Sequence, residues 1–93
     1  SVAENLNLKM EMLPAFPNPS KGITCIPVTF NVSTPIIITL TDIVGKVISI
    51  IYNGQSKPGE QKFFINTSNI APGIYALHLQ SENASITQRL VVK

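Results

Sequence analysis

The sequence predicts an all-β fold, an antiparallel β-sandwich of about seven strands. Three observations lead there. Apolar residues recur at every second position in short runs, as in Ile36, Ile38 and Leu40. The runs are separated at regular intervals by turn residues, chiefly Pro, Gly, Asn and Asp. No stretch combines apolar spacing of three and four with helix formers and a cap.

The first strand is expected over residues 10–13, where Met10-Glu11-Met12-Leu13 alternates before Pro14. Residues 1–9 ahead of it read as a linker or frayed terminus, and residues 10–93 as a single domain. Phe16-Pro17-Asn18-Pro19-Ser20-Lys21-Gly22 comes next. Pro17 and Pro19 have fixed φ and no N–H, and each restricts the residue before it. An extended, donor-poor segment is expected here, and Gly22 allows a positive φ at its end. From the residues alone this is the kinked start of an edge strand; a preformed recognition segment is the alternative.

The second strand spans 23–32, with Ile26, Val28, Phe30 and Val32 on one face and Cys25, Pro27, Thr29 and Asn31 on the other. Pro27 predicts an edge strand or a bulge. The third spans 36–41 and is rich in β-branched residues. Asp42-Ile43-Val44-Gly45 turns it back into the fourth, 46–52, giving a hairpin. Residues 53–59 read as a polar loop. The fifth strand is 60–66. Pro72-Gly73 is expected to form a type II turn with a positive φ at Gly73. The sixth strand, 74–80, points Tyr75, Leu77 and Leu79 one way. The seventh, 84–93, places Ile86, Leu90 and Val92 on one face.

Composition bounds the function. The 93 residues suffice for one small domain. With 44% hydrophobic and 13% charged residues, a folded chain rather than a disordered one is expected. Trp is absent, so the core is expected to rest on Ile, Val and Leu. Net charge is 7 − 5 = +2, and Lys9, Lys21, Lys46, Lys57, Lys62 and Lys93 are scattered. A nucleic-acid surface needs a basic stripe and an anionic membrane a polybasic run, so neither partner is expected. No apolar run nears the ~20 residues of a membrane helix. A chain opening on Ser1 without a signal-peptide pattern is expected to be a mature product or a fragment.

Catalytic chemistry finds little material. His78, Asp42 and Cys25 are each the sole residue of their type. Cys25 reads as a small buried apolar residue and His78 as a surface residue on a strand; a nucleophilic pair would need both within reach of a third group. Glu4, Glu11, Glu60 and Glu82 lie on or beside different elements, unlike the facing carboxylates of a glycosidase or the clustered oxygens of a calcium site. No zinc spacing, phosphate loop or dinucleotide fingerprint is present. No cofactor, no metal and no enzymatic activity are expected.

Two resemblances add to this reading. Ile70-Ala71-Pro72-Gly73-Ile74-Tyr75 resembles the tyrosine corner of immunoglobulin-like and fibronectin type III domains, which implies that class of sandwich and a structural Tyr75. From residue 16 to residue 93 the chain resembles the type A C-terminal sorting domain of proteins secreted by the type IX, or Por, secretion system of Bacteroidetes. Four ordered stretches carry the likeness. The 16–22 segment resembles the family's Tyr-Pro-Asn-Pro opening, with Phe16 in place of tyrosine. Ile38-Thr39-Leu40-Thr41-Asp42-Ile43-Val44-Gly45-Lys46-Val47 resembles its strand–Asp–x–x–Gly–Lys hairpin. The 70–75 block resembles its Leu-x-x-Gly-x-Tyr, with Ile70 for leucine. Leu90-Val91-Val92-Lys93 resembles its terminal apolar strand ending in lysine.

The resemblance implies a secretion signal that directs an attached N-terminal cargo through the outer membrane to the cell surface or medium. Its partners would be the secretion translocon and a cysteine-protease sortase that removes the domain and attaches the cargo to the surface. It marks Phe16, Pro17, Asn18, Pro19, Gly22, Asp42, Gly45, Lys46, Gly73, Tyr75, Leu90, Val91, Val92 and Lys93 as recognition residues. Main-chain recognition needs an extended segment or an open strand edge, and the proline segment and the seventh strand are expected to offer them. The alternative is an immunoglobulin-like adhesion or carbohydrate-binding module. It is disfavoured by the absence of Trp and by tyrosines and phenylalanines mostly at core-like positions.

Overall fold

The period-two runs form seven strands in a computed structural model that describes residues 8–93. They are β1 (Met10–Met12), β2 (Ile23–Phe30), β3 (Pro35–Thr41), β4 (Val47–Gln55), β5 (Gly59–Asn66), β6 (Gly73–Gln80) and β7 (Ser85–Val92). No helix occurs among the described residues. A three-stranded sheet, β1-β2-β5, packs on a four-stranded sheet, β4-β3-β6-β7, and all strand pairs are antiparallel. The result is a sandwich of the immunoglobulin-like, fibronectin III-like kind. The first seven residues of the expected linker lie outside the described residues. Lys9 is tied down: its N–H donates to Asn31 Oδ1 at 2.7 Å and its carbonyl accepts from Asn31 N–H at 3.1 Å.

The inner faces are those that the alternation predicts. Ile26, Val28, Ile38, Leu40, Leu77, Leu79 and Leu90 are all fully buried, so aliphatic side chains from both sheets form one core. Aromatic contact closes one side of the sandwich: the Tyr52 and Phe63 rings lie 4.6 Å apart between β4 and β5. The other side is closed by Gln88 of β7. Its side-chain carbonyl accepts from Ala15 N–H at 2.6 Å and its amide donates to the Leu13 carbonyl at 3.0 Å.

That last bond explains a departure from expectation. Pro27 lies in the central strand of its sheet, not at an edge. Leu13 N–H donates to the Pro27 carbonyl at 2.9 Å, so Pro27 in turn faces the Leu13 carbonyl with no N–H to offer. Gln88 supplies the missing donor to that carbonyl. A proline in a central strand is tolerated because a side chain from the other sheet completes the ladder.

Two further expectations are corrected. Residues 53–55 belong to β4 rather than to a loop, pairing with Ile37, Ile36 and Pro35. Gly54 suits the strand because the Tyr52 ring crosses it: a Cβ there would meet the Tyr52 hydroxyl at 3.0 Å. That hydroxyl then donates to the Gln55 carbonyl at 2.7 Å. Gly73 has no positive φ, which among the described residues is confined to Gly22, Gly45 and Gly59. It opens β6 opposite Val92 instead of completing a type II turn.

Candidate functional site

Strand order brings the four sequence stretches together. The 42–46 hairpin follows the end of β3, and Thr41 at that end pairs with Ala76 near the start of β6. At the same end Gly73 pairs with Val92 and Tyr75 with Leu90. The 16–22 segment lies along the outer edge of β7. All four stretches therefore sit at one end of the four-stranded sheet, in the order hairpin, β6, β7, proline segment. Neighbouring strands are about 4.8 Å apart, so this end is only a few strand spacings wide.

The proline segment is a clasp. It is not extended throughout: the chain bends over residues 17–19, and the Phe16–Pro17 and Asn18–Pro19 peptide bonds are cis. The Asn18 side chain reaches β7. Its amide donates to the Arg89 carbonyl and its oxygen accepts from Val91 N–H, both at 3.0 Å. One side chain thus imitates a strand residue. Ser20 continues with its backbone, donating to the Val91 carbonyl at 2.7 Å and accepting from Lys93 N–H at 3.0 Å. Pro17 and Pro19 fit such a bent, exposed segment because they leave no N–H without a partner.

The two surfaces expected for main-chain recognition therefore bind each other over residues 18–20 and 89–93. The outer edge of β7 is occupied by Asn18 and Ser20 over residues 89–93, and the backbone and amide groups of the proline segment that reach it are spent on holding it.

Beneath the clasp lies a chain of hydroxyls that sequence reasoning missed. Ser20 and Thr24 are fully buried, and Thr67 is nearly so. Thr24 Oγ1 donates to Ser20 Oγ at 2.5 Å and lies 3.0 Å from the Pro17 carbonyl. Ser20 Oγ is 2.8 Å from Thr67 Oγ1, which donates to the Gly22 carbonyl at 3.0 Å and accepts from Gly22 N–H at 3.2 Å. Thr24 and Thr67 belong to the three-stranded sheet and its exit, whereas Ser20 is bound to the four-stranded one. The hydroxyls therefore lock the sheets together where the clasp closes. No buried side-chain polar atom among the described residues lacks a partner, so the chain of hydroxyls is complete.

The other marked residues are also built in locally. Asp42 Oδ1 accepts from Val44 N–H at 3.0 Å and from Lys46 N–H at 2.9 Å, while Gly45 N–H donates to the Asp42 carbonyl at 3.1 Å. Gly45 has φ +91°, as expected of the turn. The Tyr75 hydroxyl donates to the Ala71 carbonyl at 2.5 Å, the expected tyrosine corner. Leu90 and Val92 are buried between their neighbours.

Catalytic groups do not converge. Cys25 is on β2, and His78 is on β6 of the other sheet, held by Thr41 at 2.9 Å and Thr87 at 3.1 Å. No group of three or more His, Cys, Asp or Glu that could hold a metal occurs among the described residues.

The sequence profile of the secretion system C-terminal sorting domain matches residues 14–93, from the residue before Ala15 to the end of β7 and Lys93. The chain belongs to this family. The match takes in the clasp and β2 to β7 but not β1, and the sorting domain is a C-terminal signal of the type IX system, associated with Bacteroidetes and with export to the cell surface or medium. The family is not a catalytic one. Comparison with curated proteins and with solved structures gives no match. Among the described residues, no helix of the sorting domain is long and apolar enough to cross a membrane.

Proposed function

We propose that this domain directs an attached cargo through the outer membrane by engaging the type IX translocon, and that a cysteine-protease sortase then removes it and anchors the cargo at the surface. The carrying observation is the assembly of all four family-like stretches at one end of the four-stranded sheet. Phe16, Pro17, Asn18, Pro19, Gly22, Asp42, Gly45, Lys46, Gly73, Tyr75 and residues 90–93 would act there as a folded epitope, not as a linear peptide. Each of them either forms the clasp, the hairpin and the corner or packs beneath them, so recognition and folding are coupled.

The test fuses residues 1–93 to a periplasmic reporter in a host with a type IX system. Export of the reporter, with the domain absent from the surface-attached product by mass spectrometry, is the expected result. Removing residues 90–93 deletes the buried Leu90 and Val92 and the strand that the clasp holds, and should leave the reporter in the periplasm. A reporter that stays in the periplasm with the intact domain, or is exported equally without residues 90–93, would overturn the proposal.

A further inference from the structure

Tyrosines and phenylalanines lie mostly in or against the core, as expected, but two of the four phenylalanines do not. Phe16 is 55% and Phe64 57% exposed, whereas Phe30 is 4% exposed. Register places the two exposed rings together. Phe16 bridges Cys25, with Phe16 N–H donating to the Cys25 carbonyl at 3.0 Å and Cys25 N–H to the Phe16 carbonyl at 2.8 Å. Cys25 in turn pairs with Phe64. Directly opposite residues of antiparallel strands share a face, with side chains about 5 Å apart. Phe16, Cys25 and Phe64 therefore form one row on the outer face of the three-stranded sheet. Cys25 points outward there yet is only 7% exposed, flanked by a ring on each side. Ile23, two residues along on the same face, is 56% exposed.

The fold requires little of these side chains. Phe16 joins β2 through backbone bonds that any residue except proline could make. Three large apolar groups gathered on one solvent-facing row mark an interaction surface. Charge limits the partner. Lys62 stands on the same face two residues before Phe64, opposite Pro27, and Lys21 is exposed beside the clasp. The carboxylates of this face, Glu60 and Glu11, both lie farther along, on either side of Thr29 and away from the aromatic row. A second copy of the chain would bring lysines against lysines. A partner with an apolar centre and carboxylates at its rim would not. The row adjoins the clasp end, where the four family-like stretches meet, which makes it continuous with the surface proposed for sorting.

We propose that the Phe16–Cys25–Phe64 row, with Ile23, is the docking surface for a protein component of the secretion machinery, apolar at its centre and acidic at its rim. This rests on the sorting reading. The test uses the full chain fused to the periplasmic reporter. Phe64→Thr and Ile23→Thr leave a strand former at each position while removing the apolar surface. Ile50→Thr, at a 60% exposed position on the other sheet, is the control. The expected result is an exported fraction reduced by about tenfold or more for Phe64→Thr with Ile23→Thr combined, the loss of one anchoring contact. Unchanged melting temperature, undiminished export of Ile50→Thr and rescue by Phe64→Tyr complete it. Normal export of the folded double variant would overturn the docking surface while leaving the sorting reading intact. A parent fusion that is not exported would overturn both. Dimerisation, or binding to anionic vesicles or to glycans, that disappears with Phe64→Thr would also overturn it, by assigning the row to another occupant.

Discussion

The Asn18 side chain holds the backbone of β7, donating to the Arg89 carbonyl and accepting from Val91 N–H, both at 3.0 Å. An exposed strand edge is a template for unwanted pairing, and here an amide between two prolines, together with the Ser20 backbone, covers its last residues. Asn18→Ala should lower stability by about 1 kcal/mol or slightly more, because the freed backbone groups at this exposed edge can turn to water. Asn18→Asp keeps an acceptor for Val91 and loses the donor to Arg89, so it should fall between Ala and the parent. Urea denaturation measures the series. Equal stability of all three proteins would show that the bonds add nothing to folding.

The hydroxyl chain below the clasp predicts strong coupling. Thr67→Val preserves shape but removes the groups that meet Gly22 and Ser20 in a buried setting, at a cost of about 1–3 kcal/mol. Ser20→Ala should cost a similar amount. The double variant should cost clearly less than their sum, because each single change already breaks the same network. A double-mutant cycle reads this directly, and additive losses would argue against a shared network.

How much of this was legible in sequence follows from what each feature depends on. Alternation set the inner faces of β3 and β6 correctly, since a side-chain period of two is local. The Asp42 turn and Tyr75 corner were equally legible, because their bonds span only two to four residues. Ser20, Thr24 and Thr67 were missed: small hydroxyl residues are common, and only the tertiary fold brings positions 47 residues apart into contact. Pro27 misled for a related reason. The edge rule considers strand neighbours alone, and the compensating donor, Gln88, comes from the opposite sheet. Phe16 and Phe64 carried no visible link, since their common row appears only once the register through Cys25 is fixed.

Two glycines separate backbone need from packing. Gly45 has φ +91°, and a Cβ added there would have nothing within 4 Å, so Gly45→Ala meets no clash and is opposed by backbone conformation alone. It should cost about 1–2 kcal/mol. Gly73 lacks a positive φ, and a Cβ there would lie 3.6 Å from the Tyr75 ring, an ordinary contact. Gly73→Ala should change stability by no more than about 0.5 kcal/mol. Thermal melts of the two variants check the contrast. A larger loss at Gly73 than at Gly45 would contradict these conformations.

Cys25 reports on the aromatic row without any partner present. Its thiol faces outward but is only 7% exposed, with Phe16 and Phe64 as its neighbours in register, so a thiol reagent should modify the native domain slowly. Phe64→Ala opens one side of the sulfur, and Phe16→Ala opens the other while leaving both backbone bonds to Cys25 in place. Each variant should be labelled severalfold faster than the parent under native conditions, and the double variant faster still. Ile50→Ala, on the outer face of the opposite sheet, should leave the rate unchanged. Exposure through general unfolding would instead accelerate labelling in step with lost stability. The two origins separate when rates are compared with denaturation midpoints: faster labelling at an unchanged midpoint places the rings over Cys25, and parental rates in both alanine variants would remove them from it.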